Sequence, residues 1–209
     1  GDQVKKGHQI LKVSGSARSI LSAERLALNI MQRMSGVATL TRQFVNKISG
    51  TGAQIVDTRK TTPLLRSLQK KAVLHGGGAN HRTGLYDMIL IKENHIAYAG
   101  GIKEALGNVN VYLKANQKDL KIEIETQNID EVRQVIAFGQ AHRIMLDNYT
   151  PEEAREAIEL INGQFETEIS GGINLETVRA YAETGPDFIS VGALTHSAPI
   201  MDLSLLADN

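Results

Sequence analysis

Apolar positions along this chain change period twice, and each change predicts a different kind of element. From Leu26 through Ile30, Met34, Val37, Phe44 and Ile48 the apolar residues recur at spacings of three, four or seven, the signature of one helix face, with Ser22 as an N-cap and Gly50-Thr51-Gly52 as a stop. Ser35-Gly36 is a candidate break within it. Before that helix, Gln9–Val13 reads as a short strand between turns at Lys6-Gly7 and Ser14-Gly15-Ser16.

Beyond Ala53 short apolar runs alternate with helical patterns. Strands are expected at Gln54–Val56, Met88–Ile91, Lys121–Glu125, Arg143–Leu146, Thr167–Ile169 and Phe188–Val191. A helix is expected from about Pro63, a less regular helical stretch up to Lys114, and further helices after Asn128, Thr150-Pro151 and Asn174. Asn128 with Glu131, and Thr150 with Glu153, have capping-box spacing, and Gly139 stands where a helix would end. Strands alternating with helices imply parallel pairing through right-handed crossovers. Polar or glycine residues stand at the C-terminal end of nearly every strand, as when all the loops that follow strands share one active face. The expected fold is therefore α/β, a TIM-like barrel, closed or open, with six readable strand–helix units. A doubly wound sheet would instead gather its ligand residues at one switch point.

Composition narrows the function without choosing it. The 209 residues carry 42% apolar and 22% charged side chains at a formal net charge of zero, so a positive site has to be local and nothing global favours nucleic acid or an anionic membrane. The absence of cysteine removes disulfides, thiolate metal sites and cysteine nucleophiles. Aromatics at 4% without tryptophan make a base-stacking platform unattractive, and no apolar run approaches the roughly 20 residues of a membrane span. A cytoplasmic location is expected, or an organelle if a targeting segment lies upstream of Gly1.

The chemistry concentrates between Asp57 and His95. Asp57-Thr58-Arg59-Lys60 follows the first strand, a Gly76-Gly77-Gly78 loop leads to His81-Arg82, and Lys92 follows the second. Cations crowded at strand ends repel one another unless an anion joins them, and Arg59 and Arg82 offer planar forks suited to carboxylate or phosphate. For any one of them an ordinary surface cation is an even alternative; the set beside a glycine loop is harder to dismiss. Glu123 and Glu125 alternate on one side of the third strand, and Asp147 ends the fourth, acids suited to Mg²⁺ through water or to ribose hydroxyls. Ser170-Gly171-Gly172 and Ser190-Val191-Gly192 end the fifth and sixth strands in turns whose amides, with the helix N-termini that follow, could hold phosphate. No Gly-x-Ser-x-Gly elbow is present, and His81 and His95 lack zinc spacing; His81 reads as a hydrogen-bonding group, His95 as a helix-start residue, and His8, His75 and His142 as structural.

These residues carry a resemblance. Glu24–Asn29 with Ser35-Gly36, Asp57–Pro63, Gly76–Arg82, Ile91–His95, Lys121–Glu125, Met145–Asn148, Ser170–Ile173 and Ser190–His196 resemble, in order and over essentially the whole chain, the quinolinate phosphoribosyltransferases. The resemblance implies transfer of phosphoribosyl from phosphoribosyl pyrophosphate to quinolinate with loss of carbon dioxide and pyrophosphate, in the presence of Mg²⁺. It implies that Thr58, Arg59, Lys60, His81, Arg82 and Lys92 surround the quinolinate carboxylates and that Arg25 enters from the neighbouring subunit of a homodimer or higher homo-oligomer. Glu123 and Asp147 would face ribose and metal, with Glu125 less certain. Ser170, Gly171, Gly172, Ser190, Val191 and Gly192 would hold the 5′-phosphate near His196, and Lys60, Lys92, Glu123 and Asp147 would carry the chemistry. Residues 1–21 would be the later part of an N-terminal α/β sandwich that in the family begins further upstream, 22–52 a helical connection, 53–196 the barrel, and 197–209 a return toward the sandwich. Competing readings are a pyridine-carboxylate phosphoribosyltransferase that does not decarboxylate, a silent paralogue that binds phosphorylated sugars, and a swinging-arm carrier fragment, which no lysine hairpin supports.

Overall fold

In the computed structural model, residues 1–207 are described. One six-stranded parallel sheet has the order β1-β6-β5-β4-β3-β2, with β1 Gln54–Val56, β2 Ile89–Ile91, β3 Ile122–Thr126, β4 Arg143–Asp147, β5 Glu166–Ser170 and β6 Phe188–Ser190. The helices are α1 Ala17–Lys47, α2 Arg66–His75, α3 Glu93–Ala99, α4 Ile102–Ala115, α5 Ile129–Phe138, α6 Pro151–Ile161, α7 Val178–Ala182 and α8 Ala193–His196. Each of the six strands expected beyond Ala53 forms within a residue of its place. No helix among the described residues is long and apolar enough to cross a membrane.

The two faces of the sheet are unlike. Ile55, Ile91, Ile122, Ile124, Ile144, Leu146, Ile169 and Ile189 point to the helices and form the apolar core with Val73, Leu106, Val132, Val135 and Val178. Their neighbours along each strand, Glu123, Glu125, Arg143, Met145, Glu168, Phe188 and Ser190, belong to the opposite face, because side chains alternate along a strand. That face is charged and opens only toward the C-terminal ends of the strands, with Glu123 and Glu168 wholly inaccessible to solvent. The strands therefore read as continuously buried, yet half of their side chains are polar.

Local signals work as the sequence predicts at α5 and α6. Asn128 Oδ1 accepts from Glu131 N at 3.0 Å, Thr150 Oγ1 accepts from Glu153 N at 3.3 Å, and Glu153 Oε2 accepts from Thr150 N at 2.8 Å. Gly139 ends α5 in the left-handed region, and His95 accepts the Lys92 amide at 2.9 Å to start α3.

Three expectations change. No strand forms at Gln9–Val13, because an extended segment needs a ladder partner and there is none there among the described residues. The first helix begins at Ala17 rather than after Ser22 and runs unbroken through Ser35-Gly36. Gly36 instead serves packing: a Cβ there would collide with the Pro199 carbonyl oxygen, and the C-terminal segment crosses α1 at that point, with Met201 N donating to Gln32 O at 3.0 Å and Gln32 Nε2 to Leu203 O at 2.8 Å. The segment expected over 197–209 thus lies on α1; its last two residues fall outside the described ones. The irregular stretch before Lys114 resolves into α3 and α4, parted by Gly100-Gly101.

Candidate active site

The loops at the C-terminal ends of the strands enclose a cleft of about 600 Å³. Thr58, Arg59 and Lys60 line it after β1, His81 and Arg82 after the glycine loop, Lys92 after β2, Asp147 and Asn148 after β4, Ser170–Ile173 after β5, and Ser190, Gly192 and His196 after β6. The sequence places these residues far apart, and parallel pairing brings them to one end because every strand enters from the same side.

The first wall is cationic. Thr58 Oγ1 accepts the Lys60 amide at 3.0 Å, turning the chain at Arg59, whose buried Nε has no protein acceptor. The Lys60 carbonyl accepts from Thr195 Oγ1 at 2.8 Å, and Gln69 Nε2 holds the Thr195 carbonyl at 2.7 Å, so the β1 loop is tied to α8 and α2. Arg82 is half-buried; desolvation, then the Arg59 charge beside it, weakens its hold on its proton. An orphaned guanidinium nitrogen and two arginines in mutual repulsion are what an anion would relieve.

The opposite wall is a backbone cradle. Gly171 and Gly172 have φ of +94° and +60°, and a Cβ on Gly171 would run into the Asn148 side chain and amide. Their own amides make no hydrogen bond among the described residues, which leaves them available to an acceptor in the cleft that both glycines line. Helix dipoles contribute less than expected. The helix after this loop does not begin until Val178, and α8 after Gly192 is a single turn.

The acids divide into a mouth and a floor. At the mouth, Asp147 accepts from Ser170 Oγ and from Asn148 Nδ2, and Glu125 pairs with Lys92. On the floor, His81 Nε2 lies 2.8 Å from Glu123 Oε2 and 3.4 Å from Glu168 Oε2, and Arg143 Nη1 is 2.9 Å from Glu168 Oε2. The His81–Glu123 approach is off-line, so neither Glu123 oxygen nor Glu168 Oε1 has a directed hydrogen bond. Burial pushes both Glu123 and Glu168 up to about 7, aided at Glu168 by the neighbouring Glu123 charge, while burial holds His81 below its ordinary value.

The structure adds detail to the expectations about Glu123 and His81. Glu123 pairs in register with Arg143, and Asp147 lies two side-chain steps further along that face, roughly 13 Å at strand rise, so the two stand at different depths rather than side by side. Glu125, opposite Met145, is the acid of β3 nearer the mouth. His81 Nδ1 accepts the Arg82 amide at 2.7 Å, which leaves the proton on Nε2 facing the buried carboxylates. His81 lines the cleft with an Nε2–H that has no directed acceptor among the described residues, and a protonated Nε2 lacks the lone pair a metal at the His81–Glu123–Glu168 cluster would need. For Mg²⁺ the fitting group is Asp147, an oxygen donor at the open mouth.

Of the remaining expected residues, Val191 turns its side chain into the apolar core and donates its amide to Val56 O at 3.0 Å, so only its backbone serves the turn. Arg25 is exposed on α1, outside this cleft. Glu168, Arg143 and Lys70 were missed. Glu168 was legible from its alternation with Ser170 on β5, whereas the role of Lys70 was not, since a lysine in a helix ordinarily faces water.

Comparison with known proteins agrees with this geometry. The sequence model for the C-terminal domain of quinolinate phosphoribosyl transferase matches residues 37–206, and that for its N-terminal domain matches 1–35. A Nicotiana glauca protein named quinolinate phosphoribosyltransferase [decarboxylating] 2, mitochondrial, is 48% identical over the whole chain, and a Bacillus subtilis protein named probable nicotinate-nucleotide pyrophosphorylase [carboxylating] is 45% identical over 98% of it. The chain spans 63% of the length of the first and 70% of the second. The crystal structure of NadC from Streptococcus pyogenes superposes with a TM-score of 0.92 at 38% identity, covering 99% of this chain and 71% of that one. A nicotinate-nucleotide pyrophosphorylase structure from Francisella tularensis gives 0.84 at 46% identity, covering 90% of this chain and 65% of that one. A parallel α/β sheet whose strand ends gather cations, acids and a glycine cradle, matched along its whole length by both domain models, belongs to the quinolinate phosphoribosyltransferase family.

Proposed function

We propose that the chain transfers phosphoribosyl from phosphoribosyl pyrophosphate to quinolinate with decarboxylation, giving nicotinate mononucleotide, pyrophosphate and carbon dioxide, a step of NAD biosynthesis. The observation that carries this reading is a single cleft with Arg59, Lys60, Arg82 and Lys92 on one wall and the free amides of Gly171 and Gly172 on the other. Two carboxylates of an acceptor suit the cations, and a sugar phosphate suits the amides. The strand order, with β1 and β2 at the free edges and Ala79 bridging to Val56 beyond β1, supports a six-stranded barrel left open between β1 and β2.

In this reading Arg59, Arg82 and Lys92 fix the acceptor ring with its nitrogen toward the sugar, converting an encounter into a bound geometry. As the bond from ribose C1′ to pyrophosphate breaks, positive charge grows on the sugar, and the carboxylates of Asp147 and Glu125 lower its energy. Mg²⁺ bound with the pyrophosphate at Asp147 would neutralise the departing anion. The new bond from C1′ leaves the ring nitrogen positive. The ring can then take up the electron pair released when the adjacent carboxylate departs as carbon dioxide, and that carbon gains a proton. Lys60, beside Gly192 and exposed at the rim, is placed to meet phosphate oxygens. Arg25, exposed on α1, would complete the pocket of a second copy in a homodimer. The activity would reside in the cytoplasm or, as the names of plant relatives state for those proteins, in an organelle.

The test uses quinolinate labelled at the 2-carboxylate, with Mg²⁺ and phosphoribosyl pyrophosphate. Labelled carbon dioxide released only when phosphoribosyl pyrophosphate is present is the expected result. A nucleotide product that retains the label would overturn the decarboxylating reading.

A further inference from the structure

We propose that Lys70, which lies outside the cleft, is a positioning residue for acceptor binding, acting through Asp57 on both cation-bearing segments of the cationic wall. Lys70 sits on α2 with 3% of its surface exposed, and Asp57, which ends β1, is fully buried. The Lys70 ammonium donates to Asp57 Oδ1 and to the His81 carbonyl at 2.8 Å, and Asp57 Oδ1 also accepts the His81 amide at 2.9 Å. With its amide turned to satisfy its neighbours, Asn80 donates to Asp57 Oδ2 at 2.7 Å and to the Lys70 carbonyl at 3.0 Å.

Stability alone is a poor account of this arrangement. Removing two charges from water costs about as much as their attraction returns, so an apolar pair of equal size would serve a core as well. What the pair adds is geometry. Asp57 stands two residues before Arg59 and His81 immediately before Arg82, whereas Lys60 is tied separately to α8, its carbonyl accepting from Thr195 Oγ1 at 2.8 Å. One ammonium thus ties both segments to the same helix, on the edge of β1 where no neighbouring strand holds them. The only ladder there is the short one of Ala79 N to Ile55 O at 2.8 Å and Asp57 N to Ala79 O at 3.2 Å. The glycine cradle stands on β5, inside the sheet, and does not depend on the clamp.

The inference rests on the acceptor-binding role given to those cations, and the experiment separates the two. Lys70→Met is compared with the unmodified chain for quinolinate and for phosphoribosyl pyrophosphate by titration calorimetry, with Asp57→Asn/Lys70→Met, which leaves no unpaired charge, used if the single variant fails to fold. The expected result is quinolinate binding weakened about tenfold or more, with phosphoribosyl pyrophosphate binding held within about twofold. Equal weakening of both, or of neither, overturns the proposal. Should the unmodified chain bind no quinolinate, the function reading fails. Amide exchange then decides the clamp: His81 N–H should be protected in the unmodified chain and exchange at least about tenfold faster in the variant, with β5 unchanged. Exchange at His81 as fast as at an exposed loop amide in the unmodified chain overturns it.

Discussion

At the scale of single residues the cleft works by unequal solvation of like groups. Lys92 is half-exposed and paired with Glu125, within reach of an acceptor carboxylate, whereas Glu123 and Glu168 are fully buried. Lys92→Ala should therefore raise the KM for quinolinate about tenfold or more, the loss of one charge-assisted contact, and leave that for phosphoribosyl pyrophosphate nearly unchanged. Steady-state kinetics with each substrate varied checks this, and the reverse pattern would refute it. The floor acids predict a pH effect. Their folded values near 7 stand above the 4.5 of an exposed glutamate, so between about 4.5 and 7 the folded state binds more protons than the unfolded one, and stability falls as pH rises through that window. His81, held below 6.5, acts in the opposite sense, adding stability as pH rises toward 6.5, but it is one group against two. Glu168→Gln removes one titrating carboxyl and should flatten the fall by about 1 kcal/mol per pH unit. Urea unfolding at pH 5 and pH 7 measures the difference, and identical slopes in both proteins would refute the assignment.

At the scale of elements, the helices that follow the capping rules were legible, because a cap is a local bargain between a side chain and amides three residues away. Asn128, Thr150 and Gly139 needed no knowledge of the fold. Gly36 shows the opposite case. Read locally, a glycine within a helix is a weak point or a break; in the structure the helix continues, and the missing side chain lets Pro199 lie against it. Gly36→Ala should improve the helix by roughly 1 kcal/mol of propensity yet lose more to the displaced C-terminal segment, for a net destabilisation of about 1–3 kcal/mol. Thermal unfolding checks the sign: a raised Tm would mean that the C-terminal segment contributes nothing there.

At the scale of the whole molecule, the site is incomplete in one copy if Arg25 serves the acceptor, since this residue lies exposed on α1 and away from the cleft that its own chain forms. Arg25→Ala and Lys92→Ala should each impair activity. Mixed after reversible dissociation, they should regain about one quarter of the unmodified activity, because half of a random population pairs unlike chains and each such dimer has one intact site. Mixed dimers that form without regaining activity would place Arg25 outside the shared pocket.

The sequence by itself determined the alternation of strands and helices, the strand positions, the helix caps, and which residues stand at strand ends. All of these follow from period, turn chemistry and short-range hydrogen bonding, which act within a few residues. Tertiary structure decided the rest. Register set Glu123 deeper than Asp147 and made Glu125 the mouth acid, a distinction invisible along Lys-Ile-Glu-Ile-Glu, where both glutamates point the same way. Packing chose the tautomer of His81, set its Nε2 against the buried acids at the bottom of the cleft, and buried Lys70 as a tie between segments that the sequence separates by a glycine loop. These outcomes depend on neighbours supplied by other strands and helices, and a one-dimensional pattern carries the identity of each partner but not which of them will meet.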